Sequence, residues 1–247
     1  LKLGKKLSGE AYSEEDEATL TAIAQQAAIA VECNSFREKA QSAAFDLQKT
    51  FDSLIEALAI SIDARHTLTG SHTQRVTLYA VQLAEAVGLD PEEVEIIRIA
   101  SLLHDVGKIG IPDEILKKPG TFTDEEFAIM KKHATITREI LEKICFPPAQ
   151  QQIPEIAGGH HEKWNGRGYP QGLAGKEIPL GSRIIALADV YDALTSKRDY
   201  REAMPTEQAL KILEEGNGQH FDPDLAPRFI ELIRREVAKE IKEAKES

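Results

Sequence analysis

No proline or glycine interrupts the chain from Glu14 to Arg65. These are the two residues that most readily end or kink a helix, so a stretch this long without either reads as helix. Ser13 and Asp16 stand at its start with the serine-to-acid spacing of a capping box. Leu20, Ile23, Ala27, Ala30, Val31 and Asn34 then recur at three-and-four spacing, and the pattern runs on through Leu47, Phe51, Leu54, Leu58 and Ile62. Such a stripe either packs into an ordinary core or pairs with its twin in a dimer, and the polar Asn34 within it favours pairing.

Most of the remaining chain also reads as helix. After a break at Thr69-Gly70-Ser71, Val76, Leu83 and Val87 mark a helix that stops at Gly88. Asp90-Pro91-Glu92-Glu93 combines an N-cap, a first-turn proline and a glutamate three after the cap. That helix is expected to end at His104-Asp105, before Gly107. Thr123 and Glu126 form another capping box, opening a helix that carries His133 toward Ile144 and is stopped by Pro147-Pro148. Trp164 to Gly181 is Gly-rich and lacks helical period; loops this long are usually functional or disordered. Helix resumes from Ile184 to Leu194 and again over 206–215 and 224–242. Only residues 1–12, with Gly4 and Gly9, read as the end of a strand plus a turn. The fold class expected is all-α.

The 247 residues suffice for one large domain, or one domain plus a fragment. Hydrophobic residues make up 42% and charged residues 29%, which marks a globular chain rather than a disordered one. No apolar run reaches the ~18 residues of a membrane span, and no secretory signal opens the chain. The first residue is Leu1, not Met, so the chain is read as a piece of a longer protein. Cys33 and Cys145 are far apart and form no CxxC pair, which disfavours a disulfide framework or a zinc ribbon and fits a reducing, cytoplasmic setting. A net charge of −11 argues against a duplex nucleic-acid binder. It is compatible with a nucleotide substrate, since bound metals can reverse the charge of one pocket.

The chemistry lies in the histidines. His104 and Asp105 close the apolar run IIRIASLLHDVGKIGIP. His72 precedes them, and His133, the pair His160-His161 and Asp189 follow. Imidazole and carboxylate hold divalent transition metals without cysteine, and two metals about 3.5–4 Å apart favour phosphate-ester chemistry. Taken singly, each histidine reads more readily as structural or exposed. Jointly they point to a site: of the 7 histidines, most sit within a few residues of Gly, Asp or a helix end. His104-Asp105 offers two ligands from neighbours, one of them a carboxylate able to bridge two cations, and His160-His161 could address two different metals. Asp189 is flanked by Ile185, Leu187 and Ala188; a buried carboxylate is costly without a positive partner, and a metal supplies one.

HDVGKIGIP, HHEKWNGRGYP and LADVYDALTSKRDYR together resemble the HD-GYP family of metal-dependent phosphohydrolases, over roughly residues 50–235. The resemblance implies an all-helical bundle that hydrolyses cyclic di-GMP in bacterial second-messenger signalling, through a hydroxide bridging two metals. It implies metal ligands at His72, His104, Asp105, His133, His160, His161 and Asp189, with Asp105 holding both metals and acting in catalysis. Lys108, four residues after His104, is assigned to catalysis and to the phosphate; its alternative is a surface lysine at a helix end. Asp192, Arg198 and Arg201 match positions that bind the dinucleotide in resembling proteins. Tyr169 either contacts substrate or anchors its loop. Iron or manganese suits the donor set, with zinc, nickel and magnesium left open. Some family members carry a glutamate four residues before the first ligand histidine, which helps bind a third metal. Leu68 stands there, so two metals are expected and the final product, linear pGpG or GMP, stays open.

GKKLSGEAYSEEDEATLTAIAQQAAIAVECNSF is similar to the last strand and helix of a GAF sensor domain. The expected organisation is therefore a GAF fragment over 1–36, a linker helix over 37–50, an HD-GYP domain over 51–235 and a charged tail over 236–247. The long helix would form a homodimeric coiled-coil stalk. Partners implied are cyclic di-GMP, a second copy of the chain and signalling proteins, with no membrane contact from this segment. Two other readings stand beside the hydrolase: a catalytically silent cyclic di-GMP receptor or adaptor, and a hydrolase of another cyclic dinucleotide such as cyclic GMP-AMP.

Overall fold

The computed structural model describes residues 4, 6, 8–66, 72–197 and 202–246. It divides into two compact units, Leu1–Leu54 and Ile55–Ser247. Among the described residues there is helix and no strand, only the isolated bridges Asn165–Ala174 and Asn217–Phe221. The all-α expectation therefore holds.

In the first unit, the strand expected over residues 1–12 is not found among the described residues; Gly9 instead occupies a turn at φ +78°. A strand needs a neighbouring edge to satisfy its main chain, and the described residues provide none. Helix α1 (Glu14–His66) begins here. Its capping box forms as the spacing predicts: the Ser13 N–H donates to Asp16 at 2.8 Å and the Asp16 N–H donates to the Ser13 hydroxyl at 3.2 Å. Ile23, Val31, Phe36, Phe45 and Leu47 stand exposed along it. Asn34 donates to Glu38 one turn on, at 2.8 Å.

The second unit holds the last turns of α1 and eight further helices among its described residues: α2 (His72–Ala86), α3 (Pro91–Leu103), α4 (Asp113–Leu116), α5 (Asp124–Leu141), α6 (Ile153–Gly158), α7 (Leu180–Thr195), α8 (Thr206–Glu215) and α9 (Ala226–Glu246). Both expected capping boxes form, Asp90 with Glu93 at α3 and Thr123 with Glu126 at α5. α7 begins at Leu180 rather than Ile184, because Pro179 sits at its N-cap with φ fixed near the helical value. α2 packs on α3 and α7, α5 on α6, and α8 and α9 close over α7 and α2. Leu83, Ile99, Leu103, Ile153, Ile184, Leu187 and Phe229 are fully buried between these layers. At roughly 1.5–3 kcal/mol for each such side chain, this interior is what holds the polar ends of α2, α3, α5, α6 and α7 together.

One glycine decides how closely the turn after α3 meets α5. A Cβ on Gly107 would lie 2.0 Å from the His133 carbonyl and 2.4 Å from the Thr137 nitrogen. The short 3-10 helix Val106–Gly110 can therefore lie against α5 only because residue 107 has no side chain. Buried Thr137 completes the junction, accepting from the Gly107 N–H at 2.9 Å and donating to the His104 carbonyl at 3.0 Å.

Candidate metal centre

The residues singled out by type and spacing converge. His72 opens α2, His104 and Asp105 follow the end of α3, His133 faces inward from α5, His160 and His161 follow α6, and Asp189 lies on α7. Three groups each bring their ligand atoms within 4.8 Å of one another: His133 with His160 and His161, His72 with His104 and Asp189, and His104 with Asp105 and His160. Asp105 links them. Its Oδ1 is 3.5 Å from His133 Nε2, while its Oδ2 is 3.3 Å from His104 Nε2 and 3.9 Å from His72 Nε2.

Contacts with the local main chain fix which ring nitrogen is available. His104, His133 and His160 each turn Nδ1 to the carbonyl three residues earlier, at 2.6, 2.7 and 2.6 Å from Ser101, Met130 and Ala157. A carbonyl only accepts, so each Nδ1 carries a proton, and Nε2 is the nitrogen left to hold a metal when the ring is neutral. Those three Nε2 atoms, with Asp105 Oδ1, are buried and lack a hydrogen-bond partner. An orphaned buried polar atom costs about 1–3 kcal/mol. Bound cations would satisfy these atoms, so the residues present suit the divalent metals implied by the resemblance.

His72 is held differently. Its Nδ1 pairs with Asp192 at 2.7 Å, leaving Nε2 toward Asp189 at 3.4 Å. Asp192 is buried and is gripped in turn by Arg75 and the Ser196 hydroxyl. This is a carboxylate–imidazole pair of the kind that orients metal-binding histidines. Asp192, expected to bind substrate, thus directs its carboxylate to His72 and Arg75. Arg198 and Arg201 lie outside the described residues, as does Leu68. Lys108 is brought to the centre, its ammonium pairing with Asp105 Oδ2.

Charge divides the centre. Burial opposes a proton on His72, but hydrogen bonds to Asp189 and Asp192 outweigh it and push its pKa up to about 9. Burial likewise opposes charge on His104, and the Asp105 carboxylate overcomes it, raising the pKa. Burial favours the neutral acid of Asp105, yet Lys108 and His104 hold the carboxyl well below the usual range. At the other end burial prevails. It lowers His133 and His160, and with repulsion from His133 it takes His161 down to about 3. Neutral imidazole is the form that binds metal.

The Gly-rich segment closes this neutral end. The Tyr169 ring lies 4.7 Å from that of His161 and 6.4 Å from that of His133. Its loop is pinned by buried Glu162, which accepts from the main-chain N–H groups of Gln171, Gly172 and Leu173 at 2.6, 3.1 and 3.1 Å. Gly168 allows the approach, since a Cβ there would lie 2.3 Å from the Lys163 nitrogen. Arg75, Thr137, Glu162 and Ser196 are the supporting residues that sequence reasoning missed. Arg75 stands three after His72 on one helix face, so it carried a signal.

The helices and the turns between them thus bring His72, His104, Asp105, His133, His160, His161 and Asp189 to one centre. The chain belongs to the HD domain family, whose match spans residues 56–225. It is 46% identical over 186 residues to the 3'3'-cGAMP-specific phosphodiesterase 2 of Vibrio cholerae, covering 75% of this chain and 35% of that protein. It is 39% identical over 210 residues to a cyclic di-GMP phosphodiesterase of Thermotoga maritima, covering 81% of this chain and 57% of that one. The chain therefore spans little more than half, or less, of the length of these relatives. The crystal structure of a cyclic GMP-AMP-specific phosphodiesterase of V. cholerae shares the fold, with a TM-score of 0.57 and 20% identity, covering 73% of this chain and 48% of that one. No helix among the described residues is long and apolar enough to cross a membrane.

Proposed function

We propose that this chain is the hydrolase portion of an HD-GYP cyclic di-GMP phosphodiesterase that holds two divalent metals, iron or manganese. The observation that carries this reading is the set of four buried, partnerless atoms, His104 Nε2, Asp105 Oδ1, His133 Nε2 and His160 Nε2. His133, His160 and His161 would hold one metal, His72, His104 and Asp189 the other, and Asp105 would bridge. When bound, two such cations acidify water and offset charge on phosphate oxygens. Lys108, now paired with Asp105, would turn to a phosphate oxygen of the dinucleotide. Tyr169 covers the His161 side and excludes water there. Asp192 acts through His72, fixing the ring, and Arg198 and Arg201 grip the dinucleotide. The product is linear pGpG, GMP or both.

The complete ligand set supports turnover over silent reception of the dinucleotide. A second reading, hydrolysis of cyclic GMP-AMP, is favoured by the identity with a relative named for that activity. We further read residues 1–36 as the end of a GAF domain, 37–50 as a linker helix, 51–235 as the HD-GYP domain and 236–247 as a charged tail. The exposed apolar side chains of α1 support a homodimeric stalk in a cytoplasmic signalling protein. Metal analysis with product identification, on protein purified without oxygen and offered both dinucleotides, tests the proposal. Two metals and linear product from cyclic di-GMP are expected. Protein that holds metal and binds cyclic di-GMP without cleaving it would replace the hydrolase with a receptor.

A further inference from the structure

The last turn of α1 meets the centre at two points without giving it a ligand. Buried Asp63 accepts from the Thr73 N–H at 2.9 Å and from the Thr73 hydroxyl at 2.8 Å. Thr73 directly follows His72 and lies in the first turn of α2, where main-chain N–H groups have no partner within their own helix. A carboxylate from α1 therefore caps α2 beside a ligand, where negative charge also suits the helix dipole. Arg65, two residues on, donates from Nη1 to the carbonyls of Lys108 at 3.2 Å and Ile109 at 3.1 Å, and from Nη2 to Asp113 at 2.6 Å. Those carbonyls belong to the 3-10 helix that starts immediately after Asp105. The planar guanidinium spans that turn in a way a point charge could not.

We propose that Asp63 and Arg65 are positioning residues with separate targets: Asp63 sets His72 for its metal, and Arg65 sets Lys108 for the phosphate. The inference rests on the metal-centred reading above. A purely structural role for the pair would lower stability and damage both functions together. Separate targets make the damage separable. Asp63 reaches the centre through the residue beside a ligand, so its loss is felt in metal affinity. Arg65 reaches it through the turn bearing Lys108, so its loss is felt in substrate handling.

The test uses the whole chain, with Mn²⁺ competed against a fluorescent chelator, steady-state kinetics on cyclic di-GMP, and melting temperature. Asp63→Asn is expected to weaken one of two Mn²⁺ sites about 10-fold and leave the other unchanged. Thr73→Val moves the same site in the same direction by less, and it decides the matter if Asp63→Asn does not fold. Arg65→Met keeps both Mn²⁺ affinities and raises KM ~10-fold, and Arg65→Lys recovers part of that rise. The proposal is overturned by wild-type Mn²⁺ affinity in Asp63→Asn and Thr73→Val, by equal weakening of both sites, or by an unchanged KM in Arg65→Met. Wild-type protein that binds fewer than two Mn²⁺ ions overturns the metal-centred reading itself, and the positioning roles fall with it.

Discussion

The two ends of the metal centre are built on opposite principles. At one end His133 and His160 are oriented by carbonyls of their own helices, and His161 is covered by Tyr169. Burial keeps these rings neutral. At the other end His72 is oriented by a side chain from a distant helix, and the rings there are drawn toward protonation by Asp189, Asp192 and Asp105. The first end is set by helix geometry that a point substitution scarcely alters. The second depends on an ionic network, so individual partners can be removed. The centre should therefore fail asymmetrically when its supports are changed, and symmetrically only where both ends share a residue.

The shared residues are His104, which joins two of the ligand groups, and Asp105, whose two oxygens face opposite ends. The largest effect is expected from His104→Ala combined with Asp105→Ala: no bound metal and turnover at background, with helical circular dichroism largely retained. A doubly substituted protein with wild-type turnover would refute the site. A smaller and one-sided effect is expected from Asp192→Ala. Removing a partner of this kind typically weakens a metal about 10–100-fold. Only one of the two metals should weaken, and calorimetric titration would resolve the pair. Equal weakening of both would erase the distinction between the ends.

Glu162 tests the neutral end in the same way. Its carboxylate takes three main-chain N–H groups, and hydrogen bonds to a charged group are worth about 1.5–3 kcal/mol each. Glu162→Gln keeps the shape and removes the charge. Stability should fall by roughly 1–3 kcal/mol in chemical denaturation, while both metals stay bound, because the carbonyls orienting His133 and His160 are untouched. Loss of a metal from this variant would mean that the loop, and not the helix ends, holds the neutral end together.

What could be read from the sequence follows the same division. The ligands were legible because imidazole and carboxylate are metal-binding types that recur in the long motifs around His104-Asp105, His160-His161 and Asp189. The supports were not. Asp192 lies 120 positions from His72 and Thr137 33 positions from His104, separations at which periodicity carries no information. The resemblance assigns Asp192 to the substrate, while its carboxylate meets His72 and Arg75 on α2. Glu162 adjoins the ligand pair, but its partners are main-chain groups, which carry no residue signature. At the N-terminus, Gly4 and Gly9 suggested a turn after a strand; the turn at Gly9 is present, and pairing a strand would require an edge from elsewhere.

The smallest expected effect concerns a histidine outside the centre that shares the physics of the neutral end. His220 is partly buried in the loop whose carbonyl receives the Trp164 N–H, and its ring stacks on Phe221 at 4.4 Å. Burial, aided by Lys163, pushes its pKa down to about 4, against about 6.5 in an unfolded chain. Between those values the unfolded chain takes a proton that the folded one refuses. The stability is therefore fully present above pH ~6.5 and is lost as the pH falls toward 4. His220→Gln removes that proton uptake. The drop in melting temperature between pH 7 and pH 4.5 should be slightly smaller than in the wild type, with Mn²⁺ affinity unchanged at pH 7. If the drop is identical, burial of this ring does not contribute to acid lability. If the variant loses metal at pH 7, the Trp164 loop supports the neutral end more directly than its separation from the ligands implies.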